Sequence, residues 1–160
     1  MNNERDEFIS EGLIRYKVAH NIYTRFQIEI HELLQSVLVN RSNYGQLIIQ
    51  KNSIKLDSWS KKLVLNARIR ASINDTHYFI GIGLDWVSGT KDLPIPIVWI
   101  ENSDFKYIKL RNSYSWKNTL FDKNNQLAFI NEFEYTNLDS IFNSLLDEIV
   151  EYMETEIKNN

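Results

Sequence analysis

The sequence predicts a single α+β domain over residues 1–160, with a long N-terminal helix, an antiparallel β-sheet of about four to six strands built on two hairpins, and a C-terminal amphipathic helix. Three observations support this. Residues 63–86 form two runs of β-forming residues around Asn74-Asp75, and helical apolar stripes precede and follow them. The chain of 160 residues is 43% hydrophobic and 12% aromatic, which suffices for one packed core.

Residues 5–39 are predicted to form one long helix, or two helices with a break near Gly12. Their apolar residues recur at alternating steps of three and four, which places them on one helical stripe: Tyr16, Ala19, Tyr23, Phe26, Ile30, Leu33 and Val37. We expect this stripe to pack on the sheet of its own chain. A homodimer through Tyr16, Tyr23, Phe26, Ile30 and Leu33 is the alternative.

The central hairpin has a register that follows from its turn. Asn and Asp tolerate positive φ, so Asn74-Asp75 suits a two-residue hairpin turn. The resulting pairs on one face are Ala71 with Tyr78, Ile69 with Ile80, Ala67 with Ile82, Leu65 with Leu84, and Leu63 with Trp86. On the other face they are Ser72 with His77, Arg70 with Phe79, Arg68 with Gly81, Asn66 with Gly83, and Val64 with Asp85. The first face is apolar, and the second is polar and cationic.

Gly81 and Gly83 stand within a strand, where glycine is unfavourable unless another group approaches closely. One interpretation is that the N-terminal helix covers this face and needs space for Tyr23 or Phe26. The other is that a ligand or a partner backbone lies against the strands.

The remaining elements are shorter. Residues 47–49 and 54–56 are predicted as a strand and its return around a turn at 51–53, and residues 95–100 and 105–110 as a second hairpin. Residues 116–121 and 126–133 suit two further strands or an irregular flap. The C-terminal helix, with its N-cap at Asn137 or Asp139, carries this apolar stripe: Leu138, Ile141, Phe142, Leu145, Leu146, Ile149, Met153 and Ile157.

Charge is unevenly distributed along the chain, whose net charge is -3. Residues 1–72 carry 11 Lys and Arg against 7 Asp and Glu, whereas residues 73–160 carry 7 against 14. The absence of cysteine excludes disulfides and thiolate sites. With neither a signal-like N-terminus nor a long uncharged apolar run, the sequence predicts a cytoplasmic protein without a membrane segment.

Common catalytic motifs are missing from the sequence. It has no phosphate-binding loop ahead of a helix, no zinc-protease motif and no serine elbow. His20 and His31 share a helical face but lie about 16 Å apart along the axis, too far to chelate one ion. We therefore expect no metal and no cofactor, and the sequence favours a protein that is not an enzyme.

One enzyme alternative comes from the order of the elements. A helix followed by antiparallel strands, with Asp85 ending one strand and Glu101 ending the next, is similar in layout to the PD-(D/E)XK nuclease fold. The resemblance implies that Asp85 and Glu101 bind a divalent metal at a common rim of the sheet. Position 103, where the family has its lysine, is serine, so the resemblance also fits a degenerate, inactive copy.

A nucleic-acid-binding protein is a further alternative. Arg68 and Arg70, with Lys61 and Lys62 nearby, are suited to phosphates, and His77 and Phe79 are suited to stacking on bases. An isoelectric point of about 5.6 argues against this alternative.

The sequence favours a non-catalytic protein-interaction module, specifically a small inhibitor or neutraliser of the immunity or anti-defence type found in bacteria and phages. Its partner is expected to be a protein. The predicted binding surface is the acidic outer face of the C-terminal helix, which could oppose a basic surface: Asp147, Glu148, Glu151 and Glu154.

Overall fold

A computed structural model describes residues 2–41, 43, 45–59, 64–85, 94–117, 119–130 and 133–157. The helices are α1 (Asn2–Val39) and α2 (Leu138–Tyr152), the latter preceded by a 3₁₀ turn (Tyr135–Asn137) and continued by a π-helical turn (Met153–Ile157). The strands are β1 (Ile48–Trp59), β2 (Val64–Ile73), β3 (Thr76–Asp85), β4 (Ile95–Asn102), β5 (Leu120–Phe121) and β6 (Ala128–Phe129).

The six strands form one antiparallel sheet in the order β1-β2-β3-β4-β6-β5. The predicted α+β class is confirmed, including the long first helix and the C-terminal helix.

The β2–β3 hairpin has the predicted register at every described position, from Val64 opposite Asp85 to Ser72 opposite His77. Its turn residues Asn74 and Asp75 have φ values of 48° and 63°. Two consecutive positive φ values define a type I′ turn, whose twist matches that of the flanking strands. The predicted pair of residues 63 and 86 lies outside the described residues.

The apolar face of this hairpin forms the centre of the core. It packs against the C-terminal part of α1 and against α2 in one cluster of buried side chains. From α1 the cluster takes Ile30, Leu34, Val37 and Leu38; from the sheet it takes Ala67, Ile69, Ala71, Ile80, Ile82, Leu84, Val98 and Ile100; from α2 it takes Phe142, Leu145, Leu146 and Ile149. Both helices therefore cover the same side of the sheet.

Helix α1 is continuous through Gly12, so the predicted alternative of two helices is wrong. Its apolar stripe packs on the sheet only from Ile30 onward, and every residue from 3 to 26 is exposed. The expectation that Tyr16 and Tyr23 pack on their own sheet is therefore wrong. We call residues 3–26 the projecting segment of α1.

Residues 48–59 form one strand rather than a strand and its return. Gln50 pairs with Arg70 and Lys55 pairs with Arg68, so β1 holds a bulge of three extra residues between them. Ser53 stabilises the bulge because its hydroxyl donates to the Gln50 carbonyl at 2.7 Å and accepts from the Arg70 N–H at 2.7 Å. The polar segment predicted as a turn is this bulge.

The chain after β4 turns as predicted but forms less strand. Residues 102–106 turn back, yet the return contributes only a bridge between Glu101 and Tyr107 among the described residues. The hairpin of β5 and β6 is the predicted pair of strands in shorter form. Its turn is held by Asp122, whose Oδ1 accepts from the N–H groups of Gln126 at 2.7 Å and Leu127 at 2.9 Å.

An aromatic cluster packs at the C-terminal end of α2. Trp116 stacks on Tyr152 with ring centroids 5.0 Å apart, and Tyr114 meets both rings edge-on. The Trp116 indole N–H donates to the Arg111 carbonyl at 2.9 Å, and the Arg111 N–H donates to the Tyr152 hydroxyl at 3.2 Å. The segment before β5 is thereby fixed against α2.

Among the described residues, no helix has the length and apolar character that crossing a membrane requires.

The turn geometry generates a prediction for Asp75. Replacing Asp75 by Gly removes the side chain at a positive φ and should raise the free energy of unfolding, whereas Asp75→Val forces a β-branched residue into the left-handed region. We expect Val to be less stable than Gly by about 1–2 kcal/mol. Urea unfolding measures the difference, and because both variants lack the carboxylate, equal midpoints would contradict the assigned turn.

Candidate functional site

The sheet has a second face that α1 and α2 do not cover, which we call the polar face. On β2 and β3 it carries the side chains of Arg68, Arg70, His77 and Phe79. The sequence predicted that these residues share one face, and the register confirms it. β4 adds Trp99 and Glu101 to the same face, opposite Gly81 and Phe79.

The centre of the polar face is a buried ion pair. The Glu101 side chain is 3% exposed, and its Oε2 lies 3.3 Å from the guanidinium of Arg68. The Trp99 indole N–H donates to the other carboxylate oxygen at 2.9 Å. A buried carboxylate is costly without such partners, so Arg68 is engaged in stabilising Glu101. This contact removes much of the cationic character that the sequence assigns to Arg68.

Gly81 makes room for Trp99. A Cβ at position 81 would overlap the indole ring of Trp99, which lies across the ladder from it. The interpretation that Gly81 accommodates Tyr23 or Phe26 is therefore wrong, because α1 packs on the opposite side of the sheet and its projecting segment is exposed. Gly83, opposite Ile97 on β4, is also buried.

An aromatic and cationic cluster occupies the outer part of the polar face. The rings of Phe79 and Phe105 stack with centroids 4.8 Å apart. The guanidinium carbons of Arg70 and Arg68 lie 5.6 Å from the Phe79 and Phe105 centroids, within range of a cation–π interaction. Arg70 and Phe105 are exposed, so this cluster offers both a cation and a ring to solvent.

The Tyr107 hydroxyl belongs to the same neighbourhood. Burial raises the pKa of Tyr107 above its ordinary value, the nearby Glu101 carboxylate raises it further, and the guanidinium of Arg68 lowers it. A phenol is neutral at pH 7 when its pKa is raised from about 10. Tyr107 is thus a neutral hydroxyl there rather than a phenolate base.

Asp85 and Glu101 do not meet at a common rim, so that expectation is wrong. β3 and β4 are antiparallel, and Asp85 pairs with Ile95 while Glu101 pairs with Phe79. The two backbone positions are thus six register positions apart along the strands, roughly 20 Å. Within the described residues, no group of three histidine, aspartate or glutamate side chains is placed to hold a metal ion.

The acidic residues of α2 and of the π-helical turn that follows it have partners within the chain. Glu148 is buried and accepts from the Thr119 hydroxyl at 2.7 Å. Glu154 accepts from the backbone N–H groups of Gln46 at 3.0 Å and Leu47 at 3.1 Å. Asp147 pairs with Arg41.

Glu151 lies near Tyr114, whose pKa is raised first by burial and further by the Glu151 carboxylate. The prediction of an acidic outer face is wrong for Glu148, which is buried, and Glu154 is half-buried beside residues 46 and 47. In the sequence they share the spacing of a solvated helix face, and only the fold shows that loops lie against them.

Most of the exposed large apolar side chains among the described residues lie on the projecting segment of α1. Its exposed apolar side chains are Phe8, Ile9, Leu13, Ile14, Tyr16, Val18, Ile22, Tyr23 and Phe26. The stripe that buries Ile30, Leu34 and Val37 farther along the helix continues through this segment, where its side chains are exposed. Two exposed ion pairs, Arg15 with Glu11 and Arg25 with Glu29, link successive turns.

The fold and these two surfaces define the class of protein: an α+β domain with a six-stranded antiparallel sheet, two helices on one face and a helical projection. Comparison of the chain with models of protein families, with curated proteins and with solved structures finds no match.

The contact of Gly81 with Trp99 generates a prediction. Gly81→Ala should lower the free energy of unfolding by about 1–3 kcal/mol, because the added methyl group overpacks against the indole. Gly12→Ala is the matched control, since a Cβ there meets nothing within 4 Å and alanine favours a helix. Urea unfolding followed by tryptophan fluorescence measures both. Equal stability of the two variants would contradict the contact.

Proposed function

We propose that the protein is a non-catalytic protein-interaction module whose binding element is the projecting segment of α1. The observation that carries this proposal is the exposure of a long run of apolar side chains on a helix anchored in the core at its other end. Large exposed apolar surfaces on folded proteins mark interaction sites. Twenty-four helical residues span about 36 Å, enough to occupy a groove on a partner.

The anchoring supports this role. Ile30, Leu34, Val37 and Leu38 fix the last turns of α1 on the sheet, so the segment extends from the domain in a defined direction. Apolar side chains on it avoid the cost of desolvating charges when a partner covers them. The carboxylates of α2 are less suited to this task, because Glu148 and Glu154 would have to give up partners within the chain.

A finer prediction is that the module inhibits or neutralises its protein partner, as an immunity or anti-defence protein does, and that it acts in the cytoplasm. The composition without cysteine suits a reducing compartment. In this proposal the apolar helix, rather than the acidic face of α2, makes the primary contact.

The test compares two sets of substitutions in pull-down experiments from the native host. Tyr16→Glu with Tyr23→Glu places charge on the projecting segment and should reduce recovery of a stoichiometric partner at least tenfold. Phe105→Glu is the control, because it places one negative charge on another exposed aromatic residue, which lies on the polar face. Far-ultraviolet circular dichroism and urea midpoints verify that both variants fold. Loss of the partner only in Phe105→Glu would refute the role of α1.

A second candidate function is binding of single-stranded nucleic acid at the polar face. It is favoured by one observation: the exposed Arg70 lies over Phe79, which stacks on the exposed Phe105, beside the exposed His77. Rings that stack on bases next to a cation that neutralises phosphate form a common platform for single strands.

Fluorescence anisotropy with a labelled oligonucleotide at low salt tests this second function. Arg70→Ala and Phe79→Ala should each weaken binding about three- to tenfold, and binding should fall steeply with salt. Arg25→Ala removes one positive charge from α1 and is the control. Arg68 is left intact because its removal would leave Glu101 buried without its cation. Equal affinity of the three variants would refute the site.

A further inference from the structure

The projecting segment of α1 carries a pattern of large and small residues that indicates its partner. The stripe that is buried farther along the helix continues toward the N-terminus with alternating steps of three and four. Its members in the projecting segment are Ile9, Gly12, Tyr16, Ala19, Tyr23 and Phe26. This is the spacing by which two helices pack in a coiled coil. Large and small residues alternate within it from Ile9 to Tyr23, which restricts how it can pack against itself.

We propose that this stripe binds the same stripe of a second copy of the chain, with the two helices antiparallel and the two-fold axis between Lys17 and Val18. This inference rests on the proposed function, since it names the partner of the same helix. In this arrangement Ile9 faces Phe26 of the second copy, Gly12 faces Tyr23, and Tyr16 faces Ala19. Every large aromatic residue meets a smaller residue, as interdigitated layers require.

A parallel dimer in register does not pair large residues with smaller ones. It places tyrosine against tyrosine at positions 16 and 23, alanine against alanine at 19, and glycine against glycine at 12. Adjacent layers would then be overfilled and empty, and both conditions are destabilising. At Gly12 the helix surface is open, because a Cβ there meets nothing within 4 Å, so the ring of Tyr23 from a second copy has space.

Charge favours the same orientation. Residues 4–11 contain four carboxylates and one arginine, Arg5. Parallel helices would place this acidic segment beside its own copy, and like charges at that distance repel. The antiparallel arrangement instead places it beside residues 24–31 of the second copy, where Arg25 offsets Glu29 and the segment has no net charge.

The positions at which the apolar stripe ends also agree with this antiparallel pairing. Beyond Phe26, Ile30 is buried beneath its own sheet and is closed to a partner. In the antiparallel arrangement the residue facing Ile30 is Arg5, which continues the stripe toward the N-terminus as a polar side chain. The apolar stripe of one copy therefore ends at the same height as the exposed part of α1 in the other copy.

The exposed area reaches the lower limit for a specific interface. Phe8, Tyr16, Tyr23 and Phe26 are 79%, 70%, 49% and 37% exposed, which leaves about 450 Å² of aromatic surface on each copy. Ile9, Leu13 and Ile22 flank or continue the stripe and are exposed as well. Covering these side chains on both copies buries about 1,200 Å², the lower limit for specific interfaces.

Disulfide cross-linking tests the orientation, because the natural chain has no cysteine. Gly12→Cys and Tyr23→Cys chains, one carrying a mass tag, are mixed and oxidised. The expected product is the mixed disulfide between positions 12 and 23, since only facing residues come within the roughly 4 Å that joins two Cβ atoms. Ile14→Cys mixed with Asn21→Cys is the matched control: these residues lie at matching heights in the dimer but on its outer sides, and should not cross-link.

Light scattering of the unmodified chain at about 100 μM accompanies the cross-linking and should give the mass of a dimer. Disulfides joining 12 to 12 and 23 to 23, without the mixed product, would establish parallel helices and overturn the proposal. A monomeric mass without cross-links would overturn it as well. These results would leave the proposed function standing. That proposal fails only if Tyr16→Glu with Tyr23→Glu leaves the recovery of every partner in the pull-down unchanged.

Discussion

The register of the β2–β3 hairpin is the constraint on which the rest of the structure depends. Because successive side chains of a strand point to opposite faces, a slip of one residue would move Ala67, Ile69 and Ala71 from the core to the polar face. The type I′ turn at Asn74-Asp75 fixes the register locally. The helices then have only one apolar face to cover, and both pack on it.

The same register places a charge where it has to be compensated. Glu101 reaches the polar face through the pairing of β4 with β3, and there it meets Arg68 from β2 and the Trp99 indole. Trp99 can lie flat on the sheet only because position 81 lacks a side chain. These four residues lie on three strands and together form one unit, a buried ion pair supported by an indole.

The sequence predicted the elements whose geometry is set locally. The hairpin register followed from a two-residue turn, and the helices followed from apolar periodicity. The sequence did not predict contacts between residues that are distant along the chain. Lys51 to Ser53 have the polar composition of a turn, yet β1 continues along β2 and the extra residues bulge. Glu148 and Glu154 have the spacing of a solvated face, but Thr119 and the backbone at 46 and 47 lie against them. The role of Gly81 depends on the residue of β4 that lies opposite it, which is Trp99.

The projection of α1 has a consequence for its own stability. Residues 3–26 are exposed, so packing stabilises this part of the helix little, and its β-branched residues and glycine lower its helix propensity further. The anchored turns near Val37 supply a nucleus from which the helix extends, but they contribute nothing to its far end. Any partner that covers the stripe therefore also stabilises the helical state, so part of the binding free energy is spent on ordering and the measured affinity includes a helix–coil contribution.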